Sequence, residues 1–417
     1  MKNLVILGAG TAGTMVANKM ARRLPRDWRI TILDPDAQHL YQPGLLFLPF
    51  GIYDESKLFR PRARTLSRRV QWNTEAVASV DTQAREVAGV NGTKTPYDLL
   101  VVATGASLRR EETEGLADES IHDFYTFDGA RKLRDALANF LGGRLLVNVV
   151  ENPIKCPVAP LEFLFLADDF FRRKGIRKDV ELVYATPLDG PFTKPVCSKV
   201  LKYIFDERDI RVETEFNAGR VDATKGVLES WDDRTIDYDL LVSVPIHQGA
   251  PFLAASGIAG TSTFVPTERH TLRVKDQERI FALGDVTDLP VSKAGSVAHF
   301  QAEVLTENLM RTIDGRELDA GFDGHANCFI ETGNRKAILI DFNYETEPLP
   351  GKYPLPVIGP MSLLRESTIN HFGKLAFRWI YWNALLPGRH LPVSNRMSMK
   401  GKESPWPPQR TQDATSN

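Results

Sequence analysis

The chain has 417 residues, of which 42% are hydrophobic and 25% are charged, with a formal net charge of −1. This length allows two or three domains with cores of their own, and the near-neutral charge argues against general nucleic-acid binding, which needs basic surfaces. The three cysteines lie far apart and form no CxxC pair, so neither a disulfide framework nor a zinc site is predicted. Without a recognisable signal peptide or a run of about 18 uncharged apolar residues, we expect a protein kept inside the cell.

The N-terminal residues show a complete β-α-β pattern. An apolar strand, NLVILG (3–8), runs into GAGTAG (8–13), a helix follows to about residue 24, and a second strand, RITILD (29–34), ends in an acid. The G-x-G-x-x-G glycines allow a tight turn, close approach of a pyrophosphate to the backbone and packing of the helix on the strand, while the acid can bind a ribose hydroxyl. The predicted dinucleotide site consists of Gly8, Gly10, Thr11, Ala12, Gly13 and Asp34.

Two later stretches narrow the choice of nucleotide. YDLLVVATGA (97–106) and RIFALGDVTDLP (279–290) are apolar strands that end in a small-residue turn and in Gly-Asp. They are similar to the remaining FAD-contacting motifs of flavoproteins with two dinucleotide-binding domains, whereas a domain that binds only NAD carries neither. This similarity implies FAD, contacted also by Ala103, Thr104, Gly105, Gly284 and Asp285, the last of them at the ribityl chain.

The chain also contains an internal repeat. The letters YDLLV occur at residues 97–101 and 238–242, and each copy ends a region that begins with an apolar strand. We predict an α/β fold with two Rossmann-like dinucleotide-binding domains, the second inserted in the first, followed by a C-terminal membrane-contacting region. The predicted bounds are 1–110 and 266–320 for the FAD-binding domain, 111–265 for the second domain, 321–395 for the quinone and membrane region, and 396–417 for a disordered tail.

The second domain lacks the glycines that NADH binding requires. Its first strand (144–150) is followed by ENPIKCPVAPLEF (151–163), which contains no glycine, and its second strand, VELVYATP (180–187), does not end in an acid. A proline-rich turn with Cβ atoms throughout cannot give a pyrophosphate close backbone approach. We infer that the NADH site is lost and that Cys156 occupies the vacated turn.

With these features in view, the sequence resembles the sulfide:quinone oxidoreductases from residue 1 to about residue 392. The resemblance rests on GAGTAG, YQPGLLFLPFG (41–51), IKCPVAPLEFLFLAD (154–168), ALGDVTDLPVSKAG (282–295) and ANCFIETGNRKAILIDFNYETEPLPG (326–351). It implies a redox pair of Cys156 and Cys328 beside FAD, in which Cys156 carries the growing persulfide and Cys328 reacts with the flavin. Some members tether FAD through a further cysteine after the ATG turn. Residues 107–127 contain none, so we expect non-covalent FAD.

Sulfide chemistry supports that pairing on physical grounds. Sulfide is a soft nucleophile that can attack a disulfide or polysulfide, leaving a persulfide on one cysteine and a thiolate on the other. Such cysteines are expected in a partly open, electropositive pocket. Cys197, at the start of a predicted helix (196–207), has no matching family role and is expected to pack in the core.

Three further residues are candidates for the same pocket, each with an alternative. Lys293 is similar to a family lysine at the pyrimidine edge of the flavin, but could also be a solvated surface lysine. Glu162 could act as an acid-base relay, or be favoured by the helix dipole at the start of the apolar helix LEFLFLADDFF (161–171). His247 resembles a family position near the sulfide and quinone pockets, although a lone histidine is more often structural.

The stretch HFGKLAFRWIYWNALLPGRHLP (371–392) combines bulky aromatic residues with cations. Apolar side chains fall on helical spacing along it, with Lys374, Arg378 and Arg389 as flanking charges. It is too short to span a bilayer but suits the headgroup boundary, and the alternative is a helix packed on its own core or in a dimer interface. We expect a peripheral, monotopic membrane protein on the cytoplasmic side. The oligomeric state, including a homo-oligomer, is left open.

The sequence thus predicts an FAD-dependent enzyme that oxidises sulfide to polysulfide or zero-valent sulfur through Cys156 and Cys328 and reduces membrane quinone. A type II NADH:quinone oxidoreductase would need the missing glycine motif. The flavoprotein subunit of a flavocytochrome c sulfide dehydrogenase shares the cysteines but would need export to meet its haem partner. A flavoprotein scaffold without turnover would have no use for paired cysteines.

Overall fold

The computed structural model describes residues 1–355, 359–391 and 393–403. The strands are β1 (Lys2–Leu7), β2 (Trp28–Leu33), β3 (Gln38–Leu40), β4 (Phe59–Pro61), β5 (Val70–Asn73), β6 (Val77–Asp81), β7 (Glu86–Gly89), β8 (Lys94–Pro96), β9 (Leu99–Val102), β10 (Ser107–Arg109), β11 (Gly143–Val149), β12 (Val180–Ala185), β13 (Ile210–Glu213), β14 (Ala218–Asp222), β15 (Val227–Ser230), β16 (Thr235–Asp237), β17 (Leu240–Val244), β18 (Ile246–Gln248), β19 (Ile280–Ala282), β20 (Ala326–Gly333), β21 (Lys336–Phe342), β22 (Gly351–Leu355) and β23 (Gly359–Leu363). The α-helices are α1 (Thr11–Arg23), α2 (Phe127–Asn139), α3 (Ala159–Lys174), α4 (Pro195–Glu207), α5 (Pro251–Ala255), α6 (Gly295–Ile313) and α7 (Thr368–Ile380), and α7 continues into a π-helical turn at Tyr381–Leu385.

The first sheet contains five parallel strands in the order β19-β9-β1-β2-β5. Its central strand, β1, is buried from Leu4 to Leu7, because the sheet is covered on both faces. That burial explains why the strand is apolar at consecutive rather than alternate positions. Helix α1 packs against β1, β2 and α6. The edge strand β19 is supplied by a segment that follows the whole of the second sheet in the chain.

The second sheet contains four parallel strands in the order β13-β12-β11-β17. The internal repeat occupies equivalent places in the two sheets, since Leu99 pairs with Leu4 and Leu240 pairs with Leu145, in each case on the first strand of the sheet. A three-stranded antiparallel sheet precedes each copy, β6-β7-β8 before β9 and β14-β15-β16 before β17. The prediction of two dinucleotide-binding-type units, the second inserted in the first, is therefore confirmed. The residue bounds of the domains stay predictions.

A third sheet, β20-β21-β23-β22, follows the two nucleotide-type sheets. Helix α3 packs on β20, and α7 packs on β20 and β21. These contacts bring the turn before α3, the strand β20 and the helix α7 to one place. The architecture thus lets residues that are far apart in sequence meet behind the first sheet.

Part of the segment predicted as a disordered tail is held on the third sheet. The buried ammonium group of Lys402 pairs with Asp341 of β21, and His325 binds the other oxygen of that carboxylate at 2.7 Å. The backbone N–H of Lys352 also donates to the Gly401 carbonyl at 2.8 Å. The prediction of disorder was therefore wrong for residues 396–403, because a buried carboxylate needs this cation. Residues 404–417 of the predicted tail lie outside the described residues.

Candidate active site

A cleft of about 360 Å³ opens at the carboxyl ends of the first sheet. The predicted cofactor residues that line it are Gly8, Gly10, Thr11, Ala12, Asp34, Ala103, Thr104, Gly105, Gly284, Asp285 and Lys293. Gly13 lies behind this surface, in α1. Cys156 and Glu162 line the same cleft. The fold therefore brings the three predicted nucleotide motifs and the turn of the second unit to one cavity.

The glycine turn between β1 and α1 has the geometry that its sequence predicts. Gly8 has a φ of +92°, and a Cβ there would lie 2.6 Å from the carbonyl oxygen of Ala103. A Cβ on Gly13 would lie 1.9 Å from the carbonyl oxygen of Gly8, so the helix could not approach the turn. A Cβ on Gly10 would instead meet nothing within 4 Å. That open space faces the cleft, where a phosphate group would need close access to the backbone.

Asp34 is bound by protein groups on the wall of this cleft. Its carboxylate accepts the backbone N–H of Ala9 at 2.6 Å and that of Asp36 at 2.9 Å. Arg62, which is buried, lies 3.2 Å from the same carboxylate and also donates to the carbonyl oxygen of Gln38 at 3.0 Å. Asp34 and Arg62 therefore hold the glycine turn in place. No motif in the sequence points to Arg62, whereas the contact of Asp34 with a ribose stays a prediction.

The far end of the cleft carries polar groups without protein partners. The hydroxyl of Thr104 is buried and has no hydrogen-bond partner among the described residues, and Asp285 is half-buried and lines the cleft. Lys293 donates to the carbonyl oxygens of Asp285 and Thr287, both at 2.7 Å. Burial lowers the pKa of Lys293 to about 8 and raises that of Asp285. Lys293 is therefore an interior residue, and the alternative of a solvated surface lysine was wrong.

These features fit FAD. Two helices, α1 and α6, begin at the cleft without a side-chain cap, so their first N–H groups are available to the two phosphates of a dinucleotide. A Cβ on Gly295, at the start of α6, would meet nothing within 4 Å. The unpartnered hydroxyl of Thr104 and the carboxylate of Asp285 are suited to hydrogen-bond the remainder of such a cofactor. The cleft is thus built for a dinucleotide that extends along the ends of the first sheet.

Cys156 lies on the turn between β11 and α3. Its φ is +46°, its N–H donates to the Lys293 carbonyl at 2.8 Å, and its own carbonyl accepts the N–H of Ala159 at 2.8 Å. The preceding residue, Lys155, forms a bridge to Lys293 and also lines the cleft. The turn that would hold a pyrophosphate in a nicotinamide-binding unit is thus tied to the wall of the FAD cleft. This arrangement agrees with the predicted loss of the second nucleotide site.

Cys328 lies on β20, beneath the surface of the same cleft. The packing of α3 on β20 brings this strand next to the turn that carries Cys156. Cys328 is 9% exposed, and the Ser296 hydroxyl lowers its pKa against the larger effect of burial. A negative charge on Cys328 raises the pKa of Cys156, which reflects their proximity. Both cysteines are free thiols in this structure.

The two cysteines differ in exposure, and burial acts on the pKa of both. Burial raises the pKa of Cys156 well above its usual range, and burial raises that of Cys328 to about 12. The Lys374 ammonium opposes both shifts, while the Glu162 carboxylate adds to them. The expected electropositive, partly open pocket stays a prediction: Cys156 is half-buried and lines the cleft together with Lys155, Lys293 and Lys374, whereas Cys328 is buried. An uncharged sulfur bridge is better suited to this site than two thiolates.

Glu162 and Lys374 form a buried ion pair next to the cysteines. Glu162 Oε1 accepts the Lys374 ammonium and also the backbone N–H of Glu331 at 2.6 Å. Its second oxygen, Oε2, is buried and has no partner. Burial raises the pKa of Glu162, and the charge of Lys374 opposes that shift. An unpartnered carboxylate oxygen on the cleft wall is positioned to take up or release a proton, as the relay interpretation of Glu162 requires.

Lys374 was assigned to the membrane-facing surface from sequence, and that placement was wrong. Its side chain is only 13% exposed, because Nζ points inward to Glu162 and to the carbonyl oxygen of Phe329 at 3.0 Å. The negative charges of Glu162 and Cys156 help to raise its pKa against the effect of burial. A buried glutamate on an apolar helix requires a cation, and that requirement is the signal in the sequence that could have indicated such a partner.

Two other predicted residues lie outside the cleft surface. His247 is buried, its Nδ1 lies 2.9 Å from the Pro245 carbonyl, and its Nε2 has no partner. Its ring packs edge-on against Tyr125, which does line the cleft, so His247 sits one layer behind. Burial lowers its pKa to about 3, and it stays neutral. Cys197 is fully buried in α4, as a packing role requires.

The C-terminal stretch divides into an exposed helix face and a buried turn. The exposed apolar side chains of α7 are Ile369, Phe372, Ala376 and Trp379, which recur at helical spacing. The predicted contribution of the next turn to this face was wrong, because the side chains of Tyr381, Trp382, Leu385 and Leu386 are buried. The Tyr381 hydroxyl lies 2.7 Å from the Thr11 hydroxyl and 2.6 Å from His39 Nε2, at the edge of the cleft. In the described ranges, no helix is both long and apolar enough to cross a bilayer.

Residues 2–150 match the pyridine nucleotide-disulphide oxidoreductase family. The mitochondrial sulfide:quinone oxidoreductase of Mus musculus is 26% identical over 396 residues, with 92% of this chain and 86% of the relative covered. The mitochondrial sulfide:quinone oxidoreductase of Dictyostelium discoideum is 27% identical, with 93% and 86% covered. The crystal structure of the sulfide:quinone oxidoreductase from Aquifex aeolicus superposes with a TM-score of 0.79 at 22% identity, covering 93% of this chain and 92% of that one, which shows the shared fold. The chain is therefore similar to sulfide:quinone oxidoreductases over more than nine-tenths of its length, and it shares the fold of the solved one.

Proposed function

We propose that the protein is an FAD-dependent sulfide:quinone oxidoreductase, with Cys156 and Cys328 as its redox pair. The observation that carries this proposal is the position of Cys156. It lies on the turn that would bind a second nucleotide, and that turn is hydrogen-bonded to the cleft that fits FAD. Cys328, Glu162 and Lys374 surround it from β20, α3 and α7. FAD, when bound, accepts the two electrons of sulfide oxidation and passes them to quinone.

The two cysteines are suited to take up the sulfur of sulfide one atom at a time. In the oxidised enzyme a sulfur bridge joins Cys156 and Cys328, and hydrosulfide attacks Cys156, which leaves a persulfide there and a thiolate on Cys328. Closure of a new bridge, longer by one sulfur atom, then releases two electrons and one proton. Cys156 lines the cleft whereas Cys328 lies beneath it, so sulfide reaches Cys156 first. This difference in access supports the assignment of the persulfide to Cys156.

Glu162 and Lys374 would handle the charges of these steps. The Lys374 ammonium favours the thiolate forms of both cysteines, and its effect is needed because burial disfavours them. Glu162 Oε2 has no partner and would accept the proton that bridge closure releases. A cation and a proton acceptor thus stand on the same side of the sulfur pair.

Quinone would reach the site from a membrane surface on which α7 rests. Phe372 and Trp379 are 51% and 68% exposed on the outer face of α7, while Lys374 on the same helix points to the sulfur site. Aromatic side chains of this kind are favoured at the headgroup boundary. We propose peripheral, monotopic attachment through this face, with the helix linking the lipid surface to the reaction site.

The test is anaerobic reduction of the purified flavoprotein, followed by the visible absorption band of the flavin. Sulfide and NADH are offered in separate cuvettes, and decylubiquinone is added afterwards. We expect sulfide to bleach the band, quinone to restore it, and NADH to have no effect. Bleaching by NADH and not by sulfide would overturn the proposal in favour of an NADH:quinone oxidoreductase with an unfamiliar nucleotide site.

A further inference from the structure

The C-terminal segment reaches the start of α1 through a buried tyrosine. Tyr381, in the π-helical turn after α7, is fully buried and lies 370 residues from Thr11, the first residue of α1. Its hydroxyl is 2.7 Å from the Thr11 hydroxyl and 2.6 Å from Nε2 of His39 on β3. All three residues line the cofactor cleft. The proposed reaction uses neither His39 nor Tyr381.

The turn that carries Tyr381 is seated against β3 and α1 by contacts other than its hydroxyl. The His39 ring packs edge-on against Trp382, with the ring centroids 5.5 Å apart. Further along the segment, the side chain of Asn18 on α1 donates to the Leu386 carbonyl at 2.8 Å. These contacts hold the Tyr381 hydroxyl at a defined place. They also leave the turn supported if that hydroxyl alone is removed.

The direction of the hydrogen bonds follows from the His39 ring. Burial lowers the pKa of His39 to about 3, so the ring is neutral and carries one proton. Nδ1 has no hydrogen-bond partner among the described residues. The nearby Ala9 carbonyl is already occupied, because it accepts the Thr14 hydroxyl at 2.8 Å and the Arg62 guanidinium. A proton on Nδ1 would be an unpaired buried donor, so we assign the proton to Nε2, which donates to Tyr381.

The other two protons follow from this assignment. The Tyr381 oxygen accepts from His39, so its own O–H donates to Thr11 Oγ1. Burial raises the pKa of Tyr381, so this hydroxyl keeps its proton and the network carries no charge. The Thr11 hydroxyl accepts from Tyr381 and can donate its proton to a different acceptor. Thr11 lines the cleft at the uncapped start of α1, where a phosphate group is expected.

We propose that His39 and Tyr381 are positioning residues of the cofactor site, which set the Thr11 hydroxyl as a hydrogen-bond donor to a phosphate group of FAD. The proposal rests on the FAD part of the proposed function. The start of α1 offers backbone N–H donors, and the network adds an oriented side-chain donor beside them. The cofactor site therefore includes the turn after α7 as well as the three nucleotide motifs.

The experiment measures the dissociation constant of FAD for the full-length apoprotein by fluorescence titration. ADP serves as a competitor that carries the phosphates without the flavin. We expect Thr11→Val to weaken FAD binding about 10-fold, the lower end for a hydrogen bond to a charged group. Tyr381→Phe should weaken it about 3-fold, as for a neutral hydrogen bond, because the Thr11 hydroxyl remains but is no longer oriented. Tyr344→Phe is the matched control, since its hydroxyl donates to the Arg269 carbonyl outside the cleft.

The double variant Thr11→Val/Tyr381→Phe separates positioning from support of the fold. Its FAD affinity should equal that of Thr11→Val, because Tyr381 acts only through the Thr11 hydroxyl. His39→Leu removes the donor at the start of the network. It should weaken FAD binding in the wild-type background and have no effect in the Thr11→Val background. Thr11→Ser, which restores the hydroxyl, should regain most of the affinity that Thr11→Val loses.

Three outcomes would overturn the proposal. Losses that add in the double variants would show that His39 and Tyr381 act independently of Thr11. An ADP affinity that stays unchanged in a variant with weakened FAD binding would place the contact away from the phosphates. A loss in Tyr344→Phe equal to that in Tyr381→Phe would remove the specificity of the network.

The titrations contain neither sulfide nor quinone, so they separate this proposal from the sulfide chemistry. A wild-type protein that binds FAD through the network but is not reduced by sulfide overturns the proposed function and supports the positioning role. A wild-type apoprotein that binds neither FAD nor ADP overturns both.

Discussion

The ammonium group of Lys374 and the carboxylate of Glu162 form a buried ion pair between α7 and α3, with Cys156 and Cys328 beside it. The pair connects the helix that carries an exposed aromatic face to the helix that follows Cys156. Glu162 is 1% exposed, so solvent cannot stabilise its charge in place of the Lys374 ammonium. The two residues therefore depend on one another for stability as well as for chemistry.

Loss of one partner of this pair should destabilise the protein. Lys374→Met leaves Glu162 without its cation, and we expect a loss of about 3 kcal/mol in the free energy of unfolding, the lower end for a broken buried pair. The double variant Glu162→Gln/Lys374→Met removes both charges and should regain most of that stability in urea titrations. Sulfide-driven activity should stay low in both variants. If the stability loss of the double variant equalled the sum of the losses in Glu162→Gln and Lys374→Met, the pairing would be contradicted.

The two redox cysteines should be distinguishable from the third. Cys156→Ser and Cys328→Ser should retain bound FAD, because neither side chain shapes the glycine turn, but sulfide should no longer bleach the flavin band. Cys197→Ser is the matched control, since this residue is buried in α4 and should keep wild-type reduction kinetics if it folds. Full sulfide reduction in either of the first two variants would contradict the redox pair.

The glycine turn gives a paired test of the cofactor cleft. Gly13→Ala places a Cβ 1.9 Å from the Gly8 carbonyl and should abolish stable folding or FAD retention. Gly10→Ala meets no protein atom within 4 Å, so the protein should fold. Its added methyl group should nevertheless weaken FAD binding, because it occupies the space of close backbone approach. FAD affinity is measured by fluorescence titration of the apoprotein, and an unchanged affinity in Gly10→Ala would place the phosphates elsewhere.

The proton on Glu331 should appear in the pH dependence of stability. Its folded-state pKa of about 8 lies above the usual value for glutamate, so the folded protein binds more protons than the unfolded chain between the two. The contribution of this group to stability is therefore present at pH 4 and is lost as pH rises through 8. We expect the melting temperature of the wild type to fall relative to that of Glu331→Gln over this range. Parallel curves would show that Glu331 is ionised in the fold.

The exposed face of α7 can be tested against a matched tryptophan. Trp379 is 68% exposed on α7, and Trp231 is 80% exposed in the turn between β15 and β16. In sedimentation with phosphatidylcholine/phosphatidylglycerol vesicles, Trp379→Ser should bind several-fold more weakly, because it loses an interfacial aromatic ring. Trp231→Ser should bind like the wild type. Equal loss in both variants would contradict a specific membrane-facing surface.

The sequence predicts the parts of the site that follow local rules. The turn at Gly8 and Gly13 and the strand that ends at Asp34 depend on neighbouring residues, and the structure has them as expected. The sequence does not reveal Lys374 as a buried partner, because helical spacing shows which residues share a face but not which face meets the core. Tyr381 was misplaced for the same reason, since the π-helical turn rotates it onto the cleft. Arg62 follows no motif, and its place is set by the Asp34 carboxylate and by the carbonyl oxygens that it contacts.

Because β19 follows the whole second sheet in the chain, the first sheet can be completed only after the second sheet has been synthesised. The neighbouring strand β9 is made early, and the whole of the second sheet is made before β19 follows. The second unit can therefore complete its sheet on the ribosome while β9 still has an unpaired hydrogen-bonding edge. Gly284 and Asp285, which complete the cleft, come directly after β19. The unit that has lost its nucleotide motif is thus complete in sequence before the cofactor site of the other unit can be completed.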